Sequence, residues 1–161
     1  MTWLLSGCSM FGIGGTPNAA VGETVEVPAG LGETDGKVAA TLKSLERAPE
    51  KVTKQFEGDA EIWFAEMTFD HDQTKLAKYD WTAPWVQVYG YLSDGSVVST
   101  SFLGGDMTGC EEDEVDKLMS DYAAGKEIEV CVSVSGDDSA EFAGVYFGDA
   151  STPNSSAVWE K

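Results

Sequence analysis

Hydrophobic and polar positions alternate at period two through much of this chain, which is the spacing of half-buried β-strands. The clearest run is "EIWFAEMTFD" (61–70), where Trp63, Ala65, Met67 and Phe69 share one face. "KEIEVCVSV" (126–134) alternates as cleanly, with Ile128, Val130, Val132 and Val134 directed inward. "ETVEV" (23–27) is a shorter strand of the same kind. "KVAATLKSLERA" (37–48) is mixed enough for a helix, but a strand running to a turn at Pro49 fits its neighbours better. The aromatic, β-branched "WVQVYGYL" (85–92) ends in the turn "SDGS" (93–96), and "VVSTSFL" (97–103) follows as its hairpin partner. "SAEFAGVYFG" (139–148) is a further strand, and "SSAVWEK" (155–161) reads as a last edge strand. The single helical turn is expected near Glu112–Tyr122.

This pattern predicts an all-β, Ig-like β-sandwich of about seven to nine antiparallel strands with at most one short helix. The sandwich is expected over residues 21–161, after a flexible Gly/Ser/Pro/Asn-rich tether at 9–20. Hydrophobic residues make up 42% of the 161 positions, enough for a sizeable core.

Charge narrows the partners. Twenty-eight acidic residues against ten basic ones give a formal net charge of -18. Such a surface repels nucleic-acid phosphates and anionic headgroups, so neither is an expected electrostatic partner.

Cys8, Cys110 and Cys131 are the three cysteines. Cys110 and Cys131 fall in the folded part and can pair, as exported proteins allow. Their bridge would close a loop of about twenty residues, with roughly 3 kcal/mol of stabilisation in the chain-entropy model. Cys131 shares parity with Glu127, Glu129 and Ser133, so the bridge would staple a long acidic connection to the outside of a sheet. Cys8 stands apart in the front segment. Leu5, Ser6, Gly7 and Cys8 fill, in order, the four places of a lipobox, and "MTWLLSGC" resembles the end of a bacterial lipoprotein signal. Residues 1–8 would then be the remnant of that signal, with Cys8 carrying the lipid. Two acyl chains suffice for stable anchoring. Seven residues, none basic, precede Cys8, too few for a charged n-region and apolar h-region. The lipobox therefore implies either a start further upstream or a chance match.

Several stretches together resemble a family: the telokin-like secreted lipoproteins of Gram-positive bacteria, a domain of unknown function related to the immunoprotective extracellular antigen fold. They are "VGETVEV", "EIWFAEMTFDH", "YLSDGS", Cys110, "AAGKEIEVCVSV" and the short last strand ending in Trp159. The resemblance spans roughly residues 21–160 and implies an Ig-like fold and export. It carries no catalytic residues to transfer.

Candidate chemistry is sparse. His71, the one histidine, lies between Asp70 and Asp72 and is expected in an exposed loop. No serine elbow, zinc-ligand spacing or phosphate loop is present, so no catalytic residue, metal or cofactor is assigned. "EEDE" (111–114) and "SGDDS" (135–139) offer carboxylates, but not in a calcium-loop order. Trp81, Trp85, Tyr89 and Tyr91 form a candidate recognition surface for sugar or peptide, set against the commoner role of an alternating aromatic strand as core. The leading expectation is a non-enzymatic interaction module. It would be anchored through Cys8 on the extracellular face of the cell membrane and would meet an envelope protein or polymer. The alternatives are a carboxylate-based envelope hydrolase and an intracellular acidic β-domain with a chance lipobox.

Overall fold

The computed structural model describes residues 18–28, 37–54, 61–71, 83–98, 102–103, 115–148 and 156–161. These residues form two five-stranded sheets packed face to face. The strands are β1 (Asn18–Ala19), β2 (Thr24–Pro28), β3 (Lys37–Arg47), β4 (Ile62–His71), β5 (Val88–Leu92), β6 (Val97–Val98), β7 (Phe102–Leu103), β8 (Ile128–Ser135), β9 (Phe142–Phe147) and β10 (Ala157–Glu160). The first sheet runs β1-β10-β9-β5-β6 and the second β2-β3-β4-β8-β7. The expected all-β sandwich is what the chain forms. Its details differ from the expectation in that three of the ten strands are two residues long and the β1–β10 pair is parallel. The described residues also exceed the expected seven to nine strands and single short helix: there are ten strands and two short helices, α1 (Glu50–Thr53) and α2 (Val115–Ala123), and a 3-10 turn spans Pro84–Gln87.

Alternation explains the core. Ala65, Met67 and Phe69 of β4 point inward with Ile128, Val130, Val132 and Val134 of β8, all buried. From the first sheet come Val88, Val145, Phe147, Ala157 and Trp159. Phe69 meets Phe147 at 5.2 Å, and Trp63 stacks on Phe142 at 5.0 Å. These two contacts set the alignment of the sheets, since β4 and β9 begin at one end of the sandwich and finish at the other. Each fully buried Val, Leu or Phe side chain contributes about 1.5–3 kcal/mol of transfer free energy.

The mixed segment 37–48 is a strand because its apolar residues serve one face on both sides of a bulge. The β3–β4 register shifts between Leu42 and Ser44. Val38, Ala40 and Leu42 point inward before the shift, and Leu45 packs on the core after it. The extra residue, Lys43, is turned out to solvent.

Four expectations are corrected. The last strand is internal, because β1 covers its outer edge. β1 also places Asn18 and Ala19 within the sandwich and not in the tether. β6 pairs with β5 after the turn at 93–96, where Gly95 has φ +86°, but β7 belongs to the other sheet, so 97–103 is not one hairpin strand. The segment 85–92 is extended only from Val88, because Pro84 starts a 3-10 turn that holds Trp85.

Candidate functional site

The outer face of the second sheet, around Cys131, gathers most of the described features that the core does not absorb. Cys131 lies on β8 between Glu129 and Ser133, directly opposite Glu66 of β4. It is half-buried and outward-facing, as its parity predicts. Beside it sits a second apolar cluster of Ala48, Val52, Ile62 and Phe64. This cluster exists because β4 is apolar at its start on both faces. The turn at Pro49 then folds α1 over Ile62 and Phe64, with Val52 buried beneath. Among the described residues, Cys131 is the partly buried side chain that packs against this patch. A sulfur bonded there would fix whatever segment it joins against a preformed apolar surface. Cys110 and Cys8 lie outside the described residues, as does the acidic run 111–114.

Charged groups flank the sulfur. Lys43, thrown outward by the bulge, reaches across β4 to Glu129, Nζ to Oε2 2.7 Å. That hydrogen bond, with the carboxylate charge, raises the Lys43 pKa. Ser44 Oγ donates to Glu66 Oε2 at 3.2 Å. Both contacts are solvent-exposed and contribute little to stability.

α2 forms the second structured feature of this connection. Its Leu118 and Met119 pack on the main core, and Tyr122 is buried at 3% exposure. His71, at the end of β4, is also buried, at 9% exposure, and does not lie in an exposed loop. Its Nε2–H donates to the Tyr122 carbonyl, and the two rings meet edge-on at 4.7 Å. A carbonyl can only accept, so the proton is on Nε2. The Asp70 carboxylate accepts the His71 backbone N–H at 2.8 Å. Burial pushes the Tyr122 phenol up to about 12, helped by the nearby Asp70 charge. Asp121 is held below the usual carboxylate range by hydrogen bonds from Lys126 and then Lys117. His71 is therefore a docking residue for α2. One sequence signal pointed to this role: it continues the alternating strand "EIWFAEMTFD" by one residue.

The expected aromatic surface divides. Trp85 is buried at 7% exposure within the main core and is not a surface residue. Tyr89 and Tyr91 are half-buried on the outer face of β5, with Tyr89 packed at 5.9 Å against Tyr146. Trp81 lies outside the described residues. The carboxylates of 135–139 are also partly committed. Asp137 accepts the Ser139 backbone N–H at 2.8 Å together with the Ser139 hydroxyl, which shapes the turn before β9. Asp94 does the same for Ser96, and these bonds lower its pKa. Among the described residues, no three His, Cys, Asp or Glu side chains come together as a metal site, and no helix is long and apolar enough to cross a membrane.

No family model, curated protein or solved structure matches the chain.

Proposed function

We propose that this chain is an extracytoplasmic, lipid-anchored interaction module. Cys8 carries the lipid, and the sandwich meets a protein or polymer of the cell envelope. The observation that carries this reading is Cys131. It faces outward, half-buried, and packs against the α1 patch, which is where a disulfide would hold a joined segment. Pairing with Cys110 would staple the 104–114 connection to that patch and would require an oxidising compartment. The "LSGC" lipobox supplies the anchor, and the telokin-like resemblance supports the same address through pattern alone. The charge of -18 suits a surface that stays soluble and avoids anionic headgroups, leaving attachment to the lipid. The role is binding, not catalysis: the one histidine is spent on docking α2.

The test is Cys8→Ser expressed in the native cells. The reading expects wild type in the membrane fraction and the variant released to the soluble extracytoplasmic fraction. Identical partition of the two would overturn it.

A further inference from the structure

The residues before Asn18 lead into β1, an edge strand whose one neighbour among the described residues is β10. The two strands are parallel, Asn18 opposite Val158 and Ala19 opposite Trp159. Parallel strands point the same way, so the chain arrives at the end where β10 begins, and Lys161 lies at the opposite end. Two side chains add to the backbone pairing. Asn18 Nδ2–H donates to Glu160 Oε1 at 2.9 Å, and Trp159 Nε1–H donates to the Glu23 carbonyl at 3.0 Å. Ala19 and Trp159 are buried in the main core. Just past β1 the chain crosses to the second sheet, where the Gly22 N–H donates to the Leu42 carbonyl at 2.7 Å and β2 pairs with β3. The entry segment is thus laced into both sheets within a few residues.

We infer that the β1–β10 pair is a shear clasp, a device that lets the sandwich stay folded while its tether is pulled. The inference rests on the reading of Cys8 as an anchor and of the domain as gripping an envelope partner. A pull arriving through the tether reaches β1 first and passes from there into β10. Because the strands are parallel, a load applied between the tether and the far end runs along them. The backbone bonds and the Asn18–Glu160 bond are then strained together and must fail together. An antiparallel edge pair would bring the tether in beside Lys161, and the same load would peel its bonds one after another. Two residue pairs are few and the Asn18–Glu160 bond is exposed, but Ala19, Val158 and Trp159 are buried, which shields the Ala19 half of the clasp from water.

The experiment is force-ramp unfolding of the full chain held by handles before Met1 and after Lys161. Three forms are compared: wild type, the double variant Asn18→Pro with Ala19→Pro, and Gly90→Ala as a destabilised control away from the clasp. Equilibrium denaturation places the variants on one stability scale. The clasp predicts that, at a fixed load, the proline pair unfolds faster than wild type by at least about tenfold more than its equilibrium loss accounts for, and that Gly90→Ala shows no such excess. Should the proline pair not fold, Asn18→Ala alone is expected to show a smaller excess of the same sign. No excess in either clasp variant overturns the inference. The measurement needs no lipid, so an unlipidated Cys8 would sink the anchor reading and leave the force result standing on its own.

Discussion

Gly90→Ala tests a close approach between the two sheets. Gly90 lies mid-strand in β5, and a Cβ built there would stand 2.1 Å from the carbonyl oxygen of Ser135, where β8 ends. Real Cβ contacts essentially never fall below 3.0 Å, so one backbone must retreat by about 1 Å. The obstacle is main chain at a sheet-to-sheet junction, with the Gly136 N–H already bonded to the Glu61 carbonyl at 3.0 Å, and no side chain can swing away. Overpacking of this kind costs about 1–3 kcal/mol, and the upper half of that range applies to a backbone obstacle. Replacing glycine in a strand returns roughly 0.5–1 kcal/mol of unfolded-state entropy, leaving a net loss of about 1–2 kcal/mol. For a domain of this size that lowers Tm by roughly 2–8 °C. Gly136→Ala is the internal control: its nearest neighbour, Phe142 Cβ, is 3.4 Å away, an ordinary contact. Thermal and urea denaturation of both variants should separate them clearly, Gly90→Ala destabilised and Gly136→Ala within about 0.5 kcal/mol of wild type. Equal stability of the two would refute the close approach.

Three other outcomes follow from the site. His71→Ala removes the Nε2–H bond and the ring packed on Tyr122, and should destabilise by about 1–3 kcal/mol; hydrogen exchange should quicken in 115–125 while β4 and β8 keep their protection. The Tyr122 phenol, raised by burial to about 12, binds its proton more tightly folded than unfolded, so its contribution is complete below pH 10 and is lost as pH rises from 10 to 12. A pH titration of stability should therefore fall by up to about 2–3 kcal/mol in that window, and Tyr122→Phe should flatten the fall; an unchanged slope in the variant would show that Tyr122 is not its source. Treatment with a reductant should lower stability by roughly 3 kcal/mol if Cys110 and Cys131 are bridged, and a denaturation midpoint indifferent to reductant would count against the bridge.

Period-two alternation made the central strands legible, because β4 and β8 each commit one face wholly to the core. The same alternation places Cys131 outward, where it lies half-buried. It could not show that β4 buries its other face at Ile62 and Phe64, since that burial depends on α1, a four-residue helix whose own periodicity is too short to read. The burial of His71 is hidden for a related reason. Flanking aspartates suggest a solvated loop, yet strand parity runs one residue further and α2 folds back over it. Alternation in the aromatic, β-branched "WVQV" fits core as well as a recognition surface, and Trp85 is core, held there by the 3-10 turn that Pro84 starts. β1 is two residues long and pairs with a strand near the other end of the chain, so nothing local announces it. The sheet change between β6 and β7 is equally non-local. Function is the least legible layer, because a binding role of the kind proposed leaves no spacing rule comparable to a metal or nucleophile motif.

The most direct test of the account is the intact mass and N-terminal fragment spectrum of the protein purified from native membrane and soluble fractions. The account predicts a membrane-fraction chain beginning at Cys8, with diacylglycerol on that sulfur and Cys110 and Cys131 lacking the two thiol hydrogens. A soluble chain with an unmodified Cys8 and three free thiols would contradict it.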